Sequence, residues 1–307
     1  MKVIVQPQNG YINRIQALAS SALLAQEIGA EFEVQWIPGA AAPASPVDIF
    51  SPGFLQCFVN EPKIWGLEPY LNYDPVSHVV TLAGLDQGEQ AFMADLRTLL
   101  ESDHSVSEIR ISAGGKFALG EMDFKFAEAR RDYYRSVLEF SADIEREADS
   151  QSVAHGEYLG LHLRYSDRNH QAPTRKQIVR AVKNAHDMTG GSKVFIATDT
   201  PSDLQWWQER FLRKGISTWW NSTVSLNSGE SGTAASALID WRVLGKSRGM
   251  VYFAKSSFGE EAAVAAGCEI RPIALSPSFV RSRFVSLGTH VHAATAYFKR
   301  HLSIFRG

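Results

Sequence analysis

An α/β fold made of two successive halves is predicted for this chain, and three observations predict it. Short apolar runs alternate with stripes of helical period along most of the sequence. In the second half, five such runs are separated by helical stripes, and a parallel strand pair needs a crossover of that kind. The length of 307 residues, with 45% hydrophobic content, amounts to two domains at about 150 residues each.

The elements follow in order. Val3 to Val5 is an apolar run bounded by Pro7 and Gly10. Ile15, Leu18, Ala22 and Ala25 then recur at steps of three and four, which predicts a helix starting near Ile12 and stopping at Gly29. Glu31 to Trp36 resumes an extended alternation, completing a βαβ opening. The stretch 38–75 is rich in proline and aromatics and reads as loops and short elements. A strand near His78 to Leu82, a helix from Glu89 to Leu100 and a strand from Glu108 to Ile111 come next.

Phe126, Ala129, Tyr133, Val137, Phe140, Ile144 and Ala148 trace a stripe that predicts one long helix. The polar run from Asp149 to Glu157 follows, and a domain junction is expected there, dividing the chain into 1–150 and 151–290. The second half predicts strands at Tyr158 to Leu163, Val194 to Ala197, Ile216 to Trp219, Met250 to Ala254 and Glu269 to Ile273. Helices at Lys176 to Met188, Ser202 to Arg213, Ala234 to Gly245 and Gly259 to Ala266 separate them. His292 to Phe305, within 291–307, predicts a C-terminal amphipathic helix.

Composition narrows the function. Thirty-one Lys+Arg against thirty-three Asp+Glu leave a net charge of -2, so no global field draws in nucleic acid or an anionic membrane. Cys57 and Cys268 stand apart from any ligand cluster, and no zinc site or disulfide framework is expected. The opening MKVIVQPQNG is too short in apolar residues for a secretory signal, and no window spans a bilayer; a cytoplasmic protein without an integral membrane segment is expected.

Ligands of open α/β sheets bind beyond the carboxyl ends of the strands, so the residues just after each strand carry the search. In QPQNGYINR, Gly10 allows close backbone approach, and the helix that follows would aim its positive end at an anion; an ordinary βα turn has the same appearance. The segment is neither GxGxxG nor a Walker loop. In YLGLHLRYSD, His162 and Arg164 share one side of a buried strand's end. Between Gly160 and Lys183 six basic residues (Arg164, Arg168, Arg175, Lys176, Arg180, Lys183) face one acid, Asp167, an arrangement suited to an anion. Alternatively, Arg164 pairs with Asp167 or Asp199 and the rest coat a solvated helix. Asp199 in ATDTP suits either a ligand contact or a helix cap. Asp240 falls within the apolar stripe of Leu238, Trp241 and Leu244, and such a carboxylate can accept two N–H bonds from one planar edge. Ser256 and Ser257 precede a helix, as phosphate-holding hydroxyls or as an N-cap.

Gly10 and Asn13 in NGYINR, His162, Arg164 and Asp167 in HLRYSD, Asp199 in ATDTP, Asp240 in LIDW, and Ser256, Ser257 and Phe258 in KSSF form an ordered set. The set resembles the motifs of the GDP-fucose fucosyltransferase superfamily, which includes nodulation and core α-1,6-fucosyltransferases and protein O-fucosyltransferases. The resemblance implies an α/β chain of GT-B type, with two Rossmann-like domains whose parallel sheets face across a cleft. It implies an inverting, metal-independent transferase that moves fucose from GDP-fucose to a glycan or oligosaccharide hydroxyl, with no cofactor beyond the donor substrate. The first domain would serve the acceptor and the second the GDP.

Carried over, Arg164 binds the β-phosphate and stabilises leaving GDP, and His162, Asp199 and Phe258 line the nucleotide site. Asp240 reads guanine, Ser256 and Ser257 hold phosphate, and Asn13, beside Gly10, reaches the diphosphate or sugar from the other domain. Arg164 and Asn13 would be the catalytic pair. Two departures stand out: Tyr165 occupies the place of a second Arg found in some α-1,6 enzymes, and Arg168 and Ala172 replace a Lys and a Glu of the core enzyme. Asp86 and Glu89 are the candidates for an acceptor base, beside a mechanism that needs no strong base. Alternatives are another nucleotide sugar, a protein acceptor, or a non-catalytic nucleotide-binding protein in which Arg164 forms a structural ion pair.

Overall fold

The computed structural model describes residues 1–59, 70–85, 90–103, 105–165, 172–191, 193–221 and 231–276. Its first sheet has five strands in the order β2-β1-β5-β4-β3. These are β1 (Lys2–Pro7), β2 (Glu31–Val34), β3 (Tyr70–Asp74), β4 (Val79–Leu85) and β5 (Glu108–Ala113). β1 is parallel to both β2 and β5, and only the edge pair β3/β4 is antiparallel. The second sheet, β10-β9-β6-β7-β8, is parallel throughout. It comprises β6 (Tyr158–Leu163), β7 (Lys193–Thr198), β8 (Thr218–Trp219), β9 (Gly249–Phe253) and β10 (Ile273–Leu275). This is the two-sheet α/β architecture of the GT-B type.

Nine α-helices are described: α1 (Tyr11–Glu27), α2 (Pro46–Ile49), α3 (Gln90–Ser102), α4 (Phe124–Ser136), α5 (Ala142–His155), α6 (Arg175–Met188), α7 (Leu204–Leu212), α8 (Ser231–Leu244) and α9 (Ser257–Ala266). Strand β6 shows why they cover both faces. Leu159, Leu161 and Leu163 belong to the cluster of Ile178, Val182 and Trp207 from α6 and α7, while Tyr158 belongs to that of Leu238 and Trp241 from α8. A strand buried on both sides is apolar along most of its length, and β6, polar only at His162 near its end, is buried at every residue. None of the helices among the described residues is long and apolar enough to cross a membrane.

The expected single helix over Phe126 to Ala148 is two, α4 and α5. Between them the backbone leaves the helix to pair with a distant segment: Ser51 N donates to Glu139 O at 3.1 Å and Ser141 N donates to Ile49 O at 2.7 Å. Phe140 is buried against Phe50, with ring centroids 5.9 Å apart. Arg242 donates to Tyr134 O and Leu138 O at 2.7 and 2.6 Å, satisfying carbonyls at the end of α4. Val137, placed on the apolar stripe, is exposed.

Three other expectations shift. Most of the polar run 149–157 is the end of α5, which stops at Gly156 with φ 65°. The last strand begins at Ile273, because Pro272 has no N–H to give a ladder. The loop-rich stretch contains β3, joined to β4 through a turn in which Asp74 accepts from Val76 N at 2.9 Å. The C-terminal helix over 292–305 lies outside the described residues.

Candidate functional site

The strand orders create one switch point per sheet. In the first, the chain runs from β1 outward to β2 and returns to the other side of β1 as β5; in the second, it runs β6, β7, β8 and returns as β9 and β10. Side chains just beyond β1, β5, β6 and β9 therefore border the crevices where open sheets bind ligands.

After β1, Asn9 takes φ 66° and Gly10 caps α1 with φ -72°, so the left-handed residue of this turn is Asn9 rather than the glycine. A β-carbon at Gly10 would have its nearest neighbour, Ala41 O, at 3.9 Å, leaving space on its solvent side. Arg14, buried one turn into α1, donates to Asn9 O at 2.9 Å and to Ile37 O at 2.8 Å and lies over the Trp36 ring. Its guanidinium thereby ties the β1–α1 turn to the loop after β2. Tyr11 Oη accepts from Ala44 N at 3.0 Å and secures the far end of that loop.

After β9, Ser256 caps α9, and its buried Oγ has no hydrogen-bond partner among the described residues. Ser257 follows, and its Oγ donates to Asn13 Oδ1 at 2.6 Å. The starts of α1 and α9 thus meet, neither closed by a side-chain cap at its N-cap residue. Two positive helix ends converge on the space beyond both sheets, where an anion is stabilised. Beside them, Lys116 from the loop after β5 forms an ion pair with Glu260 in the first turn of α9.

His162, the fifth residue of β6, stacks on Phe258 with ring centroids 4.8 Å apart and planes inclined by 17°. Its Nδ1 has no hydrogen-bond partner among the described residues, and burial lowers its pKa to about 3, outweighing the opposite pull of Asp199. The imidazole is neutral at physiological pH. Arg164 lies one residue beyond β6, partly buried, and its charge contributes to the same lowering.

Asp199 follows β7 and accepts from Tyr165 N at 2.8 Å, tying together the ends of β6 and β7. The residue at the cap of the following 3-10 turn is Thr200, so the helix-cap alternative for Asp199 is set aside.

Asp240 on α8 is buried, and its Oδ1 has no hydrogen-bond partner among the described residues. Burial pushes its carboxyl up to about 7, with a hydrogen bond to Asn221 acting in the opposite sense. Ser256, His162 and Asp240 thus each hold a buried polar atom without a hydrogen-bond partner among the described residues, as do several residues elsewhere in the two cores.

The basic segment is more dispersed than its charge count suggests. Arg175 pairs with Asp203 at 2.9 Å and lies over Trp206, and Lys183 pairs with Asp187 at 2.7 Å, so these two belong to a solvated helix face. Asp167, Arg168, Asp86 and Glu89 lie outside the described residues, and Ala172 is fully buried.

Sequence reasoning missed a buried cluster beneath the two helix starts. Glu261 of α9, 0% exposed, accepts from Gln16 Nε2 of α1 at 2.9 Å, Tyr134 Oη of α4 at 2.8 Å and Arg130 Nε of α4 at 3.1 Å. The available signal was weak, a polar residue, Gln16 or Glu261, among small and apolar residues in each of two helices.

Comparison of the whole fold identifies its kind. POFUT1 in complex with GDP superimposes with a TM-score of 0.54 at 13% identity, covering 89% of this chain and 98% of that one. NodZ α-1,6-fucosyltransferase co-crystallised with GDP gives 0.54 at 17% identity, covering 85% and 91%. This chain shares the fold of POFUT1 and NodZ. A further NodZ structure, from Bradyrhizobium, matches at 0.54 and 17% identity over 85% of this chain and 91% of its own. No family profile and no curated protein sequence matches the chain. Within this fold, Asn13 and Ser257 are brought together across the two halves, and His162 and Phe258 within the second.

Proposed function

We propose that this chain is an inverting, metal-independent glycosyltransferase of the cytoplasm that moves fucose from GDP-fucose to a hydroxyl of a glycan or oligosaccharide. The observation that carries the proposal is the meeting of Asn13 and Ser257 at the uncapped starts of two helices that leave the switch points of two sheets. The shared fold with proteins crystallised with GDP and GDP-fucose supports the choice of donor.

In this scheme the base enters beside Asp240, whose ionised carboxylate accepts the N1–H and N2–H of guanine. Neutral His162 and the ring of Phe258 line the nucleotide, and Asp199 keeps the ends of β6 and β7 in place beneath it. The diphosphate lies against Ser256, Ser257 and the first amides of α9, while Gly10 leaves room for its approach to α1. Breaking the sugar–phosphate bond builds negative charge on departing GDP. Arg164 and the two helix starts meet that charge, as an oriented cation and oriented amides do in place of a metal. Asn13 reaches the diphosphate or sugar from the opposite half. The acceptor hydroxyl attacks from the face away from the leaving group as the C1–O bond to GDP breaks, which inverts the anomeric centre, and its proton passes to solvent.

A donor screen tests the proposal: GDP-fucose, GDP-mannose and UDP-sugars are incubated with the chain, with and without EDTA, and free nucleotide is measured. Release of GDP from GDP-fucose alone, unchanged by EDTA, is the expected result. EDTA-sensitive turnover removes the metal-free mechanism, and consumption of another donor in preference removes the fucosyl assignment.

A further inference from the structure

Glu261 lies four residues after Ser257 on α9, and Gln16 lies three residues after Asn13 on α1. Residues so spaced stack on one helix face, so the Asn13–Ser257 and Gln16–Glu261 bonds occupy successive turns of two helices running side by side in the same sense. The second pair lies beneath the first and is fully shielded from water, both residues being 0% exposed. Every donor to the Glu261 carboxylate described above comes from the first half of the chain: Gln16 from α1, and Arg130 and Tyr134 from α4.

We propose that Glu261 is a positioning residue, which holds α1 in register with α9 and so sets where Asn13 presents its amide to the donor. This rests on the donor site proposed above and adds to it a residue that touches no substrate. The carboxylate acts at one remove: Arg130 and Tyr134 fix its oxygens, and Gln16 transmits the position to α1. Without that bond α1 can rotate or slide by a fraction of a turn at its start, and Asn13 loses alignment while the guanine and phosphate contacts of the second half persist. Loss at this position therefore falls on turnover more than on donor binding.

Replacing Glu261 leaves Arg130 buried without its partner and can unfold the chain, so the informative variant is Gln16→Met. It keeps the side-chain volume and removes one bond, together with an amide oxygen that has no partner among the described residues. GDP affinity is measured by calorimetry, and GDP-fucose kcat and KM are measured for wild type, Gln16→Met, Asn13→Ala and the double variant. The expected result is a kcat about fivefold lower in Gln16→Met, the order of one hydrogen bond, with donor KM and GDP affinity within about twofold. The double variant is expected to be no slower than Asn13→Ala alone, because both changes act through one side chain. Wild-type kcat in Gln16→Met, or losses that multiply in the double variant, overturns this inference and leaves the proposed function standing. A wild-type chain that neither binds GDP nor consumes GDP-fucose overturns the proposed function, and this inference with it.

Discussion

A β-carbon added to Gly259 would lie 2.9 Å from Nδ1 of His162 and 2.7 Å from Cβ of Tyr252. The first turn of α9 therefore packs closely on the side chains of His162 and Tyr252, near the ends of β6 and β9. Gly259→Ala is expected to push α9 off the sheet, lowering stability by about 1–3 kcal/mol, as overpacking does, and weakening GDP binding. Urea unfolding followed by GDP titration checks both. Unchanged affinity in the folded variant removes the start of α9 from the binding site.

The buried carboxyl of Asp240 gives GDP binding a defined pH dependence. Without ligand its pKa is pushed up to about 7, so below pH 7 the carboxyl is mostly protonated. Two N–H donors from guanine favour the ionised form and draw the pKa down, so binding releases a proton. Affinity is expected to rise with pH up to about 7, by at most tenfold per unit, and to level off above it. Calorimetry from pH 5.5 to 8 measures the slope. The Asp240→Asn variant separates this group from the nucleotide's own phosphate titration, and an identical slope in that variant removes Asp240 from guanine recognition.

Arg164→Ala is expected to keep its fold and lose donor turnover by about 10²–10³-fold, the scale of removing one oriented group from a developing charge. Circular dichroism and a GDP-release assay read the two properties separately. Full turnover in the variant refutes the leaving-group role.

Arg130→Met is expected to destabilise the chain by about 3–5 kcal/mol, because the Glu261 carboxylate would stay buried without its main counter-charge. Arg248→Met, which removes exposed pairs with Glu157 and Glu269, is expected to change stability little. Denaturant midpoints compare the two variants, and similar values for both discount the buried cluster.

The repeated strand–helix order was legible because β6 and β7 are apolar along almost their whole length and the helices between them carry a clear period. His162 and Arg164 could be found because a polar residue near the end of a buried strand stands out. The break between α4 and α5 could not. Phe140 is buried whether its backbone is helical or extended, so the apolar period runs on unbroken, and the pairing with Ile49 and Ser51 that decides the matter spans about ninety residues of chain. Asn13 and Ser257 were each readable as strand-end residues, but their contact depends on the approach of two halves 244 residues apart. Glu261 was hidden by its neighbours, since a charged residue in an alanine-rich helix ordinarily faces water.

The network around Glu261 also bears on how the chain becomes folded. By length it divides into two units, and each sheet forms from one half. Yet a second half made alone would expose to water the face of α9 that α1 and α4 cover and leave Glu261 without its Gln16, Arg130 and Tyr134 donors, and a cut at residue 150 would also sever α5, which packs on α8. The expected consequence is a single cooperative melting transition for the whole chain, and aggregation-prone fragments from either side of the cut.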